Sequence, residues 1–132
     1  MKLYQIHHIA IICSDYAASK NFYVNKLGLQ VVQEIYRANR NSYKLDLAVN
    51  GLYQIELFSF PEPPTRKSNP EAAGLRHLAF AVDNITEAVA ELNAQGIETE
   101  PIRVDEFTQK QFTFFADPDG LPLELYEVSY TS

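Results

Sequence analysis

The chain has 132 residues, 46% hydrophobic and 21% charged, which fits one globular domain with its own core and excludes a disordered or collagen-like chain. Eleven Lys and Arg against 17 Asp and Glu leave a formal charge of −6 with no basic run, which argues against nucleic acid and anionic membrane as partners. The lone cysteine, Cys13, cannot form an internal disulfide, and neither a leader-like apolar run nor the roughly 20 apolar residues of a membrane span is found, so a cytoplasmic protein is expected.

In chain order, a strand through His8-Ile9-Ala10-Ile11 leads to Ser14 or Asp15 as helix cap. A helix follows over Tyr16–Leu27, closed by Gly28 and amphipathic through Tyr16, Phe22, Tyr23 and Leu27. Three strands are predicted next, about Gln30–Tyr36, Tyr43–Val49 and Tyr53–Phe60, with Asn50-Gly51 as the hairpin turn between the last two. The stretch Pro61 to Gly74 holds four prolines and reads as a connector. The plan then recurs. A strand at His77–Asp83 leads through Asp83 or Asn84 into a helix over Ile85–Gln95 with Ile85, Ala88, Val89 and Leu92 on one face, closed by Gly96. Strands at about Glu100–Val104, Gln111–Ala116 and Leu121–Val128 complete the second half, with Asp117-Pro118-Asp119-Gly120 at the last turn. The expected fold is α+β: one domain over 1–132, built of two tandem βαβββ units at about 4–60 and 75–128.

The repeat aligns four residues. His8 and Glu56 lie on the first and last strands of the first unit, 48 positions apart; His77 and Glu124 do so in the second, 47 apart. Alternation along a strand groups His8 with Ala10 and Ile12, away from the helix side of Ile9, Ile11 and Cys13. The same alternation puts Glu56 with Phe58, His77 with Ala79 and Ala81, and Glu124 with Tyr126. A single His or Glu in a strand is usually solvent-facing or internally satisfied. Four at equivalent positions are another matter, because burying two carboxylates on an apolar face without a cation is costly. Two curved sheets related by a pseudo-two-fold would bring the four to one centre, whose imidazole and carboxylate donors suit one divalent ion: Zn²⁺ or Ni²⁺ ahead of Mn²⁺ or Fe²⁺. His7 has the opposite parity, and Cys13 is expected to be a buried, inert thiol.

Five segments carry a resemblance: His-His-Ile-Ala-Ile at 7–11, Asn-Phe-Tyr-Val-Asn-Lys-Leu-Gly-Leu at 21–29, Ile-Glu-Leu at 55–57, Leu-Arg-His-Leu-Ala-Phe-Ala-Val-Asp at 75–83 and Asp-Pro-Asp-Gly-Leu-Pro-Leu-Glu-Leu-Tyr-Glu at 117–127. In combination they resemble the vicinal oxygen chelate superfamily, which includes glyoxalase I, methylmalonyl-CoA epimerase, fosfomycin-resistance thiol transferases, ring-cleaving dioxygenases and bleomycin-resistance proteins. The match is best to the glyoxalase I-like branch. The resemblance implies paired curved sheets around a metal-binding groove, with His8, Glu56, His77 and Glu124 all as metal ligands. Retention of Glu56 favours the isomerase and epimerase members, which move a proton next to a carbonyl, with Glu56 or Glu124 as the catalytic base.

The implied activity is that of a lactoylglutathione lyase-like enzyme on a small 2-oxoaldehyde–thiol adduct. The alternatives are an epimerase or thiol transferase of the same superfamily, or a protein that sequesters a small molecule or drug without chemistry. One departure bears on the thiol: where glyoxalase I carries a glutathione-binding arginine four residues after the first ligand, this chain has Ile12. Arg37, Arg40 and Lys44 are the replacement candidates for substrate binding, and Tyr36, Phe58, Phe115 and Tyr126 could form an aromatic wall or, equally, be core or dimer contacts. Lys44 and Asp46 should face the groove, opposite Tyr43, Leu45, Leu47 and Val49. A homodimer is expected, since two such units leave sheet edges and faces open and the connector is long enough for an exchanged arrangement.

Overall fold

In a computed structural model that describes residues 1–129, each half of the chain folds as one βαβββ unit, and the chain divides after Thr65 into two compact units. The first holds β1 (Ile9–Cys13), α1 (Tyr16–Lys20), β2 (Gln30–Arg37), β3 (Ser42–Val49) and β4 (Leu52–Ser59). The second holds β5 (Leu78–Val82), α2 (Ile85–Ala94), β6 (Arg103–Val104), β7 (Gln111–Ala116) and β8 (Pro122–Glu127). Each unit is a four-stranded mixed sheet, ordered β1-β4-β3-β2 or β5-β8-β7-β6, in which the first strand runs parallel to the last and the other neighbours are antiparallel.

The alternation sorts the faces as the pattern requires. Ile11, Cys13, Leu45, Leu47, Ile55 and Leu57 are buried on one face of the first sheet, with α1 against β4; Ala10 and Ile12 on the other face are exposed. In the second unit Thr113, Phe115, Leu123 and Leu125 are buried, and α2 lies on β8 with Ile85 and Leu92 turned inward. Side chains such as Leu45, Leu57 and Leu123 each contribute about 1.5–3 kcal/mol by leaving water. Asp15 caps α1 by accepting from Ala18 N at 3.1 Å, and Asn84 caps α2 by accepting from Glu87 N at 3.0 Å. Gly28 and Gly96 end the helical stretches at φ of 81° and 78°, conformations that side-chain-bearing residues avoid.

Two elements depart from expectation. The helix predicted to Leu27 is α-helical only to Lys20; Asn21–Lys26 then widens into a π-helical turn, in which Leu27 N donates to Phe22 O at 2.9 Å. The wider turn accommodates two adjacent buried rings, Phe22 and Tyr23, packed edge to face. The strand predicted from Glu100 shrinks to Arg103–Val104. Glu100 still bonds β7 through its N–H to Phe114 O, but Pro101 offers no donor and the ladder lapses. Among the described residues, no helix is long and apolar enough to cross a membrane.

Candidate metal centre

The parallel pairing of first and last strands is what brings His and Glu together in each unit. Ala10 stands opposite Glu56 and Ala79 opposite Glu124, with the histidine two residues upstream on the same side. His8 Nε2 lies 3.6 Å from Glu56 Oε2, and His77 Nε2 lies 3.3 Å from Glu124 Oε1. Both histidines stand one residue ahead of their strands rather than within them, so each ring sits at the strand mouth. Small neighbours, Ala10, Ala79 and Ala81, leave the space beside them open.

Glu56 is 8% exposed, and three polar groups meet its Oε2: His8, the Tyr53 hydroxyl, which donates to it, and Lys44 Nζ at 3.7 Å. Lys44 also reaches Asp46 Oδ1 at 2.6 Å, so Lys44 and Asp46 lie on the Glu56 face as expected. Tyr53 was not legible in the sequence. Simple alternation groups it with Ile55 on the core side, but the β3–β4 ladder slips: Leu47 pairs with Ile55 and Ala48 with Tyr53, leaving Gln54 as an extra residue. This bulge turns Tyr53 onto the Glu56 face. Burial, and then the bond to Glu56, push the Tyr53 phenol above its ordinary value of 10.0.

Around the rings, His7 Nδ1 and His8 Nδ1 are 2.8 Å apart. When His8 donates in that bond its Nε2 lone pair is free, the tautomer a metal ligand needs. His77 is arranged differently. Arg76 Nη1 approaches its Nδ1 at 3.2 Å, and because arginine cannot accept, the ring proton belongs on Nε2, toward Glu124. Loading an ion at Nε2 therefore requires Arg76 to release Nδ1.

The other expected site residues divide. Arg37 is half-buried on the Glu56 face, its guanidinium 4.9 Å from the Phe58 ring centre and 5.7 Å from that of Phe60, with Nη2 donating to Ser42 Oγ at 2.8 Å. Phe58 pairs with Lys44 on that face. Arg40 is not brought in; it is exposed in the 3-10 turn Ala38–Arg40. Tyr36 is no groove wall either, since its ring packs on Tyr43 of the helix side, which itself stacks on Tyr16. In the second unit Tyr126 shares the face of Glu124, and its hydroxyl bonds Asp105 Oδ2 at 3.0 Å and Thr108. The N–H of Phe107, followed by Tyr126, holds the Asp105 carboxyl below the usual carboxylate range. Phe115 takes the core place of its two readings. It is buried on the core face, and the aromatics facing Glu124 and Tyr126 are Phe114 and Phe112, the former edge-on to His77 at 5.1 Å. The run Phe112-Thr113-Phe114-Phe115 is too apolar on both faces for alternation to decide between them.

The donors fit a first-row ion. Two ligands bound at about 2.0–2.2 Å in tetrahedral or octahedral geometry lie about 3.0–3.6 Å from each other, and both His–Glu separations fall in that window. Among the described residues, no group of three or more His, Cys, Asp and Glu is gathered that could hold a metal ion; each unit presents one His–Glu pair.

Two tandem βαβββ units, each a four-stranded mixed sheet, are the vicinal oxygen chelate fold. The sequence matches the Glyoxalase/Bleomycin resistance protein/Dioxygenase superfamily over residues 5–125, and the chain belongs to that family. It is 69% identical over 127 residues to YwkD of Bacillus subtilis (96% of this chain, 99% of that one), and 64% identical over 125 residues to YaeR of Escherichia coli (95% and 97%). Among solved structures, it is similar to a glyoxalase family protein from Enterococcus faecalis at 58% identity and a TM-score of 0.87, covering 93% of this chain and 97% of that one.

Proposed function

We propose that the chain is a divalent-metal-dependent lyase or isomerase of glyoxalase I type, moving a proton next to a carbonyl of a small 2-oxoaldehyde–thiol adduct. The observation that carries this reading is the duplicated His–Glu pair, His8 with Glu56 and His77 with Glu124, each at the separation of two ligands on one ion. In this reading the two pairs complete one four-ligand shell, within one chain or across a homodimer. The ion supplies Lewis-acid polarisation of the carbonyl. The chain's own carboxylates supply the proton path: Glu56 or Glu124 takes a proton from the carbon beside the carbonyl and returns it to the neighbouring carbon. Tyr53 and Lys44 hold Glu56 while it does so. Lys44, Arg37, Phe58 and Tyr126 line the faces on which substrate would lie.

The test is stoichiometric loading with Zn²⁺, Ni²⁺, Mn²⁺ or Fe²⁺, followed by assay of each form on methylglyoxal with several thiols. Turnover in one metal form, absent from the metal-free chain, is expected. Failure to take up any of the four ions would overturn the reading and leave sequestration of a small molecule as the function to test.

A further inference from the structure

We propose that the second unit carries a binding cavity for the anionic group of a small molecule, a carboxylate or a phosphate, beside the His77–Glu124 pair. A cavity of about 670 Å³ opens within this unit, a volume in the range of small-ligand sites. Four basic side chains line it, Arg66, Lys67, Arg76 and Arg103, drawn from only eleven Lys and Arg in a chain of net charge −6. Against three carboxylates in the same lining, these leave one positive charge in excess on a chain that is acidic overall.

Three carboxylates, those of Glu71, Glu98 and Glu100, also line the cavity, and two of them are engaged. Glu71 Oε1 accepts from Arg76 Nε at 2.6 Å, and Glu100 Oε1 accepts from Arg103 Nη2 at 3.0 Å. That leaves Arg66 and Lys67 against Glu98. Among the described residues, Arg66 is held by neutral acceptors: Nε donates to Ser68 Oγ at 2.9 Å, and Nη2 donates to the carbonyls of Leu75 and Arg76 at 2.8 and 3.0 Å. Those bonds fix the guanidinium plane, leave its charge unneutralised and do not use Nη1. A pre-oriented guanidinium with spare donors is suited to carboxylate and phosphate oxygens.

The cavity adjoins the candidate metal pair through two shared residues. Phe114 lines it and packs edge-on against His77, and Arg76 lines it and reaches His77 Nδ1. That the bound anion is part of the substrate rests on the function proposed above; that the cavity takes an anion rests on its own side chains.

The experiment is a ¹H–¹⁵N NMR titration of the metal-free full chain, at constant ionic strength, with inorganic phosphate and separately with succinate. Saturable shifts at the amides of Phe114, Ala116 and Gly120 are expected with at least one anion. A response to phosphate alone assigns a phosphate-bearing ligand, and a response to succinate alone or more strongly assigns a carboxylate. Lys67→Gln and Arg103→Gln should each weaken binding by about fivefold or more. Lys26→Gln, the same charge change in the first unit, should leave it within about twofold. No saturable response at these amides, or equal weakening by Lys26→Gln, would overturn the proposal. Because no metal is added, a chain unable to load an ion would leave a positive result standing, and a chain that loads metal but binds neither anion would lose this inference alone.

Discussion

Replacing a carboxylate by its amide separates holding an ion from moving a proton, because Gln still offers a neutral oxygen but is a far weaker base. Glu56→Gln and Glu124→Gln are each expected to retain stoichiometric metal, and at least one to lose on the order of 100-fold or more in turnover. Near-complete activity in both would mean that the two carboxylates are ligands only. Tyr53 gives a second readout at the same spot. Its phenol is held above 10.0 by burial and then by its bond to Glu56, so the stability this contributes is full below pH 10 and is lost as pH rises through the elevated value. Tyr53→Phe should be less stable than the parent by about 1 kcal/mol at neutral pH. The gap should narrow as denaturation is measured at increasing pH above 10; a constant gap would show that the phenol is not held neutral by the fold.

At the scale of elements, the caps carry measurable weight. Asp15→Ala and Asn84→Ala each remove the acceptor of one helix N-terminal N–H and should cost about 1 kcal/mol, read as a drop in Tm of about 3–5 °C. Each cap was narrowed in advance to two neighbours, and the glycine stops, the Asn50-Gly51 hairpin and the bounds of β7 were readable outright, because each depends on local chemistry that a few neighbouring residues express. The nearness of His8 to Glu56 and of His77 to Glu124 was readable for another reason: duplication wrote the same His and Glu twice, and period-two alternation gave their common face. What stayed hidden depends on non-local fit. The π-turn accommodates Phe22 and Tyr23 inside the core, the loss of ladder at Pro101 depends on a partner strand, and the arrival of Tyr53 at Glu56 needs an extra residue at Gln54 that simple alternation cannot reveal.

For the whole molecule, the proposed four-ligand shell, with one His–Glu pair from each unit, would make a bound ion a cross-link. An ion bound only by the folded form, at a free concentration about 100 times its Kd, adds about 2.7 kcal/mol. Chelation should therefore lower Tm, and readdition of the ion should restore it. Substituting either His8 or His77 by Ala should abolish that shift, since each removes one of four donors. Light scattering at micromolar concentration is expected to give a dimer mass with metal bound. A Tm indifferent to chelator in a chain shown to carry metal would mean that the ion bridges nothing.

The side-by-side placement of β1 and β4, and of β5 and β8, has a consequence for the order in which the molecule assembles. The β3–β4 hairpin closes through a two-residue turn, whereas β1 reaches β4 only after a loop of more than forty residues has been drawn shut. Closing such a loop costs on the order of 3 kcal/mol before any contact rewards it. The hairpins should form first and the opening strands dock last, and both opening strands also lie at a sheet edge. In native-state hydrogen exchange, the amides of Ile9–Cys13 and Leu78–Val82 should thus open at lower free energy than those of Leu45, Leu47 and Leu57. The histidines sit at the leading ends of those two strands, so the residues assigned to the chemistry would be joined to the fold by segments that open before its core.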